Sequence, residues 1–237
     1  MDSQRSVFYL NIQILMREFV SVQGGSLNQE AYWDEQFKES ACIWGNSPSI
    51  TADIALSHFE ENQVHSILIP GVGYGRNSKL FTSNGFDVTG VEISSTACNL
   101  ARNYDPRINL FHGSIFDVEL PEEKYDAIFC FDVLHLFLEK ERSSFIDKCS
   151  RFVRPNGFMF FTALSENDDY FGCGTEVEAA TFEVKAGKYI HFFTELDLTN
   201  SFRQFTKLEG GQVIDSVSHA KHGQKAYEVR YIFVQKC

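Results

Sequence analysis

No stretch of this sequence approaches 18 uninterrupted apolar residues, so it offers no candidate membrane-spanning helix. It has no C-x-x-C pair either. Its six cysteines, Cys42, Cys98, Cys130, Cys149, Cys173 and Cys237, are scattered, several of them inside apolar periodic segments. That spacing argues against a zinc ribbon or a disulfide framework and predicts reduced thiols, no metal and a cytoplasmic setting. Basic runs are missing as well: 21 Lys+Arg stand against 32 Asp+Glu, a formal net charge of -11. A field of that sign repels a phosphate backbone or an anionic bilayer unless a local basic patch overcomes it. Neither nucleic acid nor membrane is therefore expected as a partner. Segment 7–16 is fairly apolar, but Asn11 and Gln13 interrupt it and no small-residue cleavage site follows, so it does not read as a signal peptide.

What is present suffices for one large α/β domain: 237 residues, 43% hydrophobic, with 23 Phe that predict an aromatic-rich core and an aromatic-walled pocket. Val7, Leu10, Ile14 and Met16 fall near helical spacing before Gly24 and Gly25 break the pattern. Residues 1–25 thus read as a helical extension ahead of a domain at 26–237. Helices are expected at 28–39 and 48–61. After them, short apolar runs at 64–70, 86–92, 107–112, 125–131 and 157–163 alternate with helical stretches near 75–84, 94–103 and 138–153. In the last helix Phe145, Ile146, Cys149, Phe152 and Val153 share a face until Arg154, Pro155, Asn156 and Gly157 stop it. Such β-α alternation implies right-handed crossovers and a parallel sheet. The end of the chain breaks the rhythm. A helix from Thr194, with Asp197 three residues on as in a capping box, precedes two strands at about 211–218 and 226–235. Their short connection fits only antiparallel neighbours.

The densest chemistry lies in SILIPGVGYGRN (66–77), a strand running into a glycine loop with a helix after it. Alternate glycines let the backbone turn tightly and let a ligand lie against bare peptide, facing helix N–H groups. The spacing is G-x-G-x-G; the dinucleotide fingerprint G-x-G-x-x-G would need glycine at Arg76. The next strand ends at Glu92, and an ionised Glu accepts both hydroxyls of a ribose. Adjacent parallel strands bring that carboxylate beside the loop. Each element also has a plain structural reading, as a glycine turn and as an acid at a strand end. HGSIFD (112–117) offers a hydroxyl and apolar side chains to an adenine, and IFCFDVLHLFL (128–138) places Phe131, Asp132 and His135 at the same edge.

Together with Tyr32, Trp33, RPNG (154–157) and HFFTELDL (191–198), these motifs resemble the class I S-adenosylmethionine-dependent methyltransferases over about residues 31–236. Within them the sequence is most similar to the tellurite-resistance and thiopurine methyltransferase branch. The resemblance implies a Rossmann-like α/β fold: a seven-stranded, mostly parallel sheet in order 3-2-1-4-5-7-6, strand 7 antiparallel, with helices on both faces. It places Gly71, Gly73 and Gly75 against the methionine portion of S-adenosylmethionine, with Tyr74 in the same loop. Glu92 would hold the ribose, Ile93, Ser114 and Ile115 would border the adenine, and the Phe131 carbonyl would meet the cofactor amine. Two positions depart from the family pattern: Ile69 stands where an acid is usual, and Ser114 replaces the adenine-side Asp.

Methyl transfer needs the nucleophile held in line behind a sulfonium methyl with water excluded. Asp132, His135 and His191 are the candidate bases for an oxygen or nitrogen nucleophile; a soft nucleophile needs none. Each has a structural alternative, Asp132 as a turn cap and the histidines as core residues. Arg76 is a candidate for the cofactor carboxylate or for a surface acid, and Trp33 for closing over the cofactor or for the core. His219 and His222 are expected to face solvent. Segment 164–190, which is acidic, is expected to border the acceptor pocket and to suit a neutral or cationic small molecule. The oligomer expected is a monomer or homodimer. The competing functions are a non-catalytic protein that binds the cofactor or a partner, an NAD-dependent oxidoreductase and, third, a nucleic-acid methyltransferase.

Overall fold

The computed structural model describes residues 28–237, so the extension read at 1–25 lies outside the described residues. Two capped helices lead in. In α1 (Gln29–Glu39) the Asn28 side chain accepts from Ala31 N–H, and in α2 (Ile50–Glu61) Ser49 accepts from Ala52 N–H. Then come β1 (Ser66–Pro70), α3 (Ser78–Ser83), β2 (Asp87–Glu92), α4 (Ser95–Tyr104), β3 (Asn109–His112) and β4 (Tyr125–Cys130). A 3-10 turn at Leu134–Leu136 leads to α5 (Glu139–Phe152) and β5 (Val153–Leu164). Three short strands follow, β6 (Thr175–Glu178), β7 (Thr181–Lys185) and β8 (Lys188–His191). The chain ends with α6 (Glu195–Ser201) and the long hairpin β9 (Thr206–His219) and β10 (Gly223–Gln235).

The main sheet has seven strands in order β3-β2-β1-β4-β5-β10-β9. β10 runs antiparallel to β5 and β9, and the other pairs are parallel. This is the class I methyltransferase topology that the resemblance implied. Side chains alternate across the sheet. Met159 and Phe161 pack with α5 and α6 on one face, while Phe158 and Phe160 pack with α2 and α3 on the other. Most of the phenylalanine excess is used there, in contacts such as Phe81–Phe129 and Phe129–Phe160.

Three features differ from the sequence reading. The helix α5 ends at Phe152, as expected, but β5 begins at once at Val153, ahead of the expected 157; Tyr125 pairs with Val153 while Ala127 pairs with Phe158, so residues 154–157 bulge from the ladder. Segment 164–190 carries a second, three-stranded antiparallel sheet, β6-β7-β8. β9 starts at Thr206, ahead of the expected 211.

Candidate active site

Strand order reverses between β1 and β4, and ligands of open α/β sheets bind in the crevice beyond such a switch point. Here that crevice is a cavity of about 610 Å³, within the usual range of about 300–1,000 Å³ for small-molecule sites. Its floor is the glycine loop. Gly71 and Gly73 have φ of 67° and 60°, conformations that an L side chain resists. A Cβ on Gly71 would stand 2.4 Å from Val133 Cγ2. Gly71→Ala should therefore lose about 1–3 kcal/mol from backbone strain and a comparable amount from overpacking. Thermal unfolding would show this as a drop of several degrees.

Glu92 closes the floor. It is 5% exposed, and its two carboxylate oxygens accept from Gly73 N–H at 2.8 Å and Ser94 N–H at 2.9 Å. Burial pushes its carboxyl above the usual carboxylate range, against those N–H bonds. The carboxylate thus meets the loop directly, and both line the cavity. Ile93, Ser114, Ile115 and Phe131 continue the wall.

Aromatic side chains roof the loop. Trp33 and Phe37 on α1 pack with Trp44 and Tyr74 at centroid distances of 6.1–6.4 Å, and the Tyr74 hydroxyl donates to the Gly45 carbonyl at 2.6 Å. Asp34 ties α1 down: it accepts from Ser94 Oγ at 2.5 Å and Thr96 N–H at 3.0 Å, bonds led by Ser94 that hold its carboxyl at about 2. The β7–β8 hairpin completes the roof, with Lys188 Nζ donating to the Tyr32 hydroxyl at 2.9 Å and Gln29 donating to the Gly187 carbonyl at 3.4 Å.

Asp132, two residues past β4, also lines the cavity and has φ 53°, an uncommon conformation for a residue other than glycine and one that Asp and Asn tolerate best. Thr162 locks it: the hydroxyl donates to Asp132 Oδ1 and accepts from Asp132 N–H, both at 2.9 Å. Burial pushes the Asp132 carboxyl up to about 7, opposed by the Thr162 bond. His135 is 6% exposed, and its Nδ1 is buried without a hydrogen-bond partner among the described residues. Burial, then Lys188 and His191, hold that ring down at about 3, so it is neutral at physiological pH.

Thirteen of the site residues expected from sequence are Trp33, Gly71, Gly73, Tyr74, Arg76, Glu92, Ile93, Ser114, Ile115, Phe131, Asp132, His135 and His191. All but His191 line the cavity. The fourteenth, Gly75, is also off the wall: its α-carbon faces Ser78 and Ala101, where α3 packs on α4. His191 is buried, with Nδ1 bonded to Thr181 Oγ1 at 2.8 Å and Nε2 to Asp197 at 2.6 Å. Both nitrogens are used, so the ring braces β7, β8 and α6. Arg76 pairs at 3.5 Å with Asp215, which is 4% exposed, so its acid is an interior one.

Tyr170 and Lys188, from the segment expected to border the pocket, line the cavity; Asp215 and Tyr227 line it too and had no signal in the sequence reading. His222 is exposed, as expected, while His219 is half-buried; both also border the cavity. The acids of segment 164–190 are mostly engaged elsewhere. Glu166 grips Arg230, Asp168 accepts from Tyr170 and Glu228 N–H, and Glu178 accepts from Glu139 N–H. Their charge therefore says little about the acceptor. Among the described residues there is no cluster of three or more metal-capable side chains, and no helix is long and apolar enough to cross a membrane.

A family model described as a methyltransferase domain matches residues 68–161, the stretch from β1 through most of β5. The ubiquinone biosynthesis O-methyltransferase of Bordetella avium is 26% identical over 150 residues, 60% of this chain and 61% of that one. The phosphoethanolamine N-methyltransferase of Plasmodium falciparum is 28% identical over 162 residues, 64% of this chain and 58% of that one. The chain thus spans about three fifths of the length of the curated relatives it matches. Among solved structures, the 1,6-didemethyltoxoflavin-N1-methyltransferase of Burkholderia thailandensis, with bound S-adenosylhomocysteine, superposes with a TM-score of 0.61 at 18% identity. It covers 96% of this chain and 89% of its own. That likeness shows the fold.

Proposed function

We propose that this protein is an S-adenosylmethionine-dependent methyltransferase acting on a small-molecule acceptor. One observation carries the reading: the Glu92 carboxylate meets Gly73 N–H at 2.8 Å on the wall of a cavity that Asp132 also lines. When bound, the cofactor supplies a methyl group on a sulfonium sulfur that departs as a neutral thioether.

The residues present fit that group. Each Glu92 oxygen spends one lone pair on a backbone N–H and keeps another for a ribose hydroxyl. Gly71 and Gly73 leave bare peptide for the amino-acid arm, while the Phe131 and Trp33 rings already face Arg76 and Lys188. Ile69, in place of the family's usual acid, is buried in the core and contributes only apolar surface. The hydrogen bond that such an acid would give is absent, and the cation Arg76 lies close by on the cavity wall. Asp132 serves as general base for an acceptor that must lose a proton, and its locked backbone fixes where the proton goes. His135 lines the same space as a neutral ring. The finer likeness to the tellurite-resistance and thiopurine branch rests on the ordered motifs alone.

Thermal shift separates this from dinucleotide binding. S-adenosylhomocysteine at a hundred times its dissociation constant should stabilise the chain by about 2.7 kcal/mol, with no response to NAD. Transfer of a tritiated methyl group to the small-molecule fraction of a cell extract should follow. Stabilisation without any transfer would leave a binding protein, and a response to NAD alone would reverse the assignment.

A further inference from the structure

The proposed reaction leaves one wall of the cavity without a task. Tyr227 on β10 and Asp215 on β9 are direct cross-strand partners, and the Tyr170 ring stacks on that of Tyr227 at 6.1 Å and 23°. Both tyrosines line the cavity, and neither phenol hydroxyl has a hydrogen-bond partner among the described residues. Burial raises both phenols, so they stay protonated and act as donors. Beside them Arg76, 6% exposed, faces Asp215 through Nη2 at 3.5 Å, an ion pair that makes no hydrogen bond. The charge is balanced, while that N–H can still donate to a bound oxygen. The Asp132 carboxyl lies within electrostatic reach of Arg76 and Tyr227. So three donors gather near two carboxylates, Asp132 and the Asp215 that Arg76 already pairs with, against ring faces that favour a flat ligand.

We infer that the acceptor is a planar molecule bearing a carbonyl or ionised oxygen next to the O–H or N–H that is methylated, the oxygen being received by Tyr170, Tyr227 and Arg76. This rests on the methyltransferase reading. In the step, the acceptor's lone pair forms the new bond to the methyl carbon as the carbon–sulfur bond breaks and its electron pair stays on sulfur. The acceptor's proton passes to the Asp132 carboxylate. A cationic amine would meet three donors with nothing to give them, and an isolated thiol would leave all three unanswered.

Calorimetry on the full chain saturated with S-adenosylhomocysteine tests this with matched probes: salicylaldehyde, phenol, benzylamine and thiophenol. Salicylaldehyde should bind at least tenfold tighter than the other three. Tyr227→Phe and Tyr170→Phe, which remove only a hydroxyl, should each weaken salicylaldehyde about five- to tenfold and leave phenol and S-adenosylhomocysteine unchanged. Equal binding of phenol, benzylamine or thiophenol, or Phe variants that bind salicylaldehyde as the parent does, overturns the inference. Failure of S-adenosylhomocysteine itself to bind overturns the methyltransferase reading beneath it, a result distinguishable in the first titration.

Discussion

Asp132→Asn is expected to lower turnover of an acceptor that must lose a proton by about 10²- to 10⁴-fold, the usual contribution of a positioned general base, with cofactor affinity unchanged. Asparagine is the informative substitution. It tolerates the φ of 53° and keeps an oxygen for the Thr162 hydroxyl, so the backbone lock survives. Alanine would add strain to the loss of the base and blur the two. The pH profile carries the sign. The carboxyl, pushed up to about 7 by burial, acts as a base only when ionised. In the parent, kcat/KM should fall tenfold per unit as pH drops below about 7 and level off above it; in the variant that limb should vanish. Turnover within a factor of three of the parent, with the acidic limb intact, would show that the proton goes elsewhere.

Glu92→Ala should weaken S-adenosylhomocysteine by roughly 10²- to 10⁴-fold. Two hydrogen bonds to a charged acceptor are worth about 1.5–3 kcal/mol each, and each 1.4 kcal/mol is a factor of ten. The same change strips acceptors from Gly73 and Ser94 N–H, so the loop loses its brace even without ligand. Glu92→Gln keeps the volume but puts an NH2 where one of those N–H groups needs an acceptor, and should lie between parent and alanine. Calorimetry with each variant, beside circular dichroism to confirm folding, reads the effect. Unchanged affinity in a folded Glu92→Ala protein would remove the ribose contact from the account.

Much of this was legible in the sequence, and the reasons are local. G-x-G-x-G after an apolar strand forces backbone conformations that few other residues adopt, and a carboxylate ending the next parallel strand has to fall beside it. Both meet as the topology demands. The terminal hairpin was legible because the seven residues between the expected strands cannot hold a crossover; the structure leaves three, 220–222. What escaped depends on contacts between distant segments. Nothing near Asp215 signals that an acid in an exposed-looking strand turns inward to meet Arg76, 139 positions earlier. His191 reads as a base candidate, yet Thr181 and Asp197 take both nitrogens, which only the paired geometry of β7, β8 and α6 reveals. The β6–β8 sheet did leave a trace: Phe182 and Val184, then Ile190, alternate with polar residues around Gly187, the pattern of a hairpin. The early start of β9 hid behind Gly210 and Gly211, which look like a break; the Tyr231 ring lies over Gly211 and fills the gap within the strand.

The central claim is that Glu92 and the glycine loop grip an adenosyl amino acid at the switch point of the sheet. A crystal structure with S-adenosylhomocysteine tests it most directly. The account predicts both ribose hydroxyls within hydrogen-bond distance of the Glu92 carboxylate, the amino-acid arm along Gly71 and Gly73, and the sulfur turned toward Asp132. A ribose bound away from Glu92, or a sulfur facing the adenine end of the cavity, would contradict it.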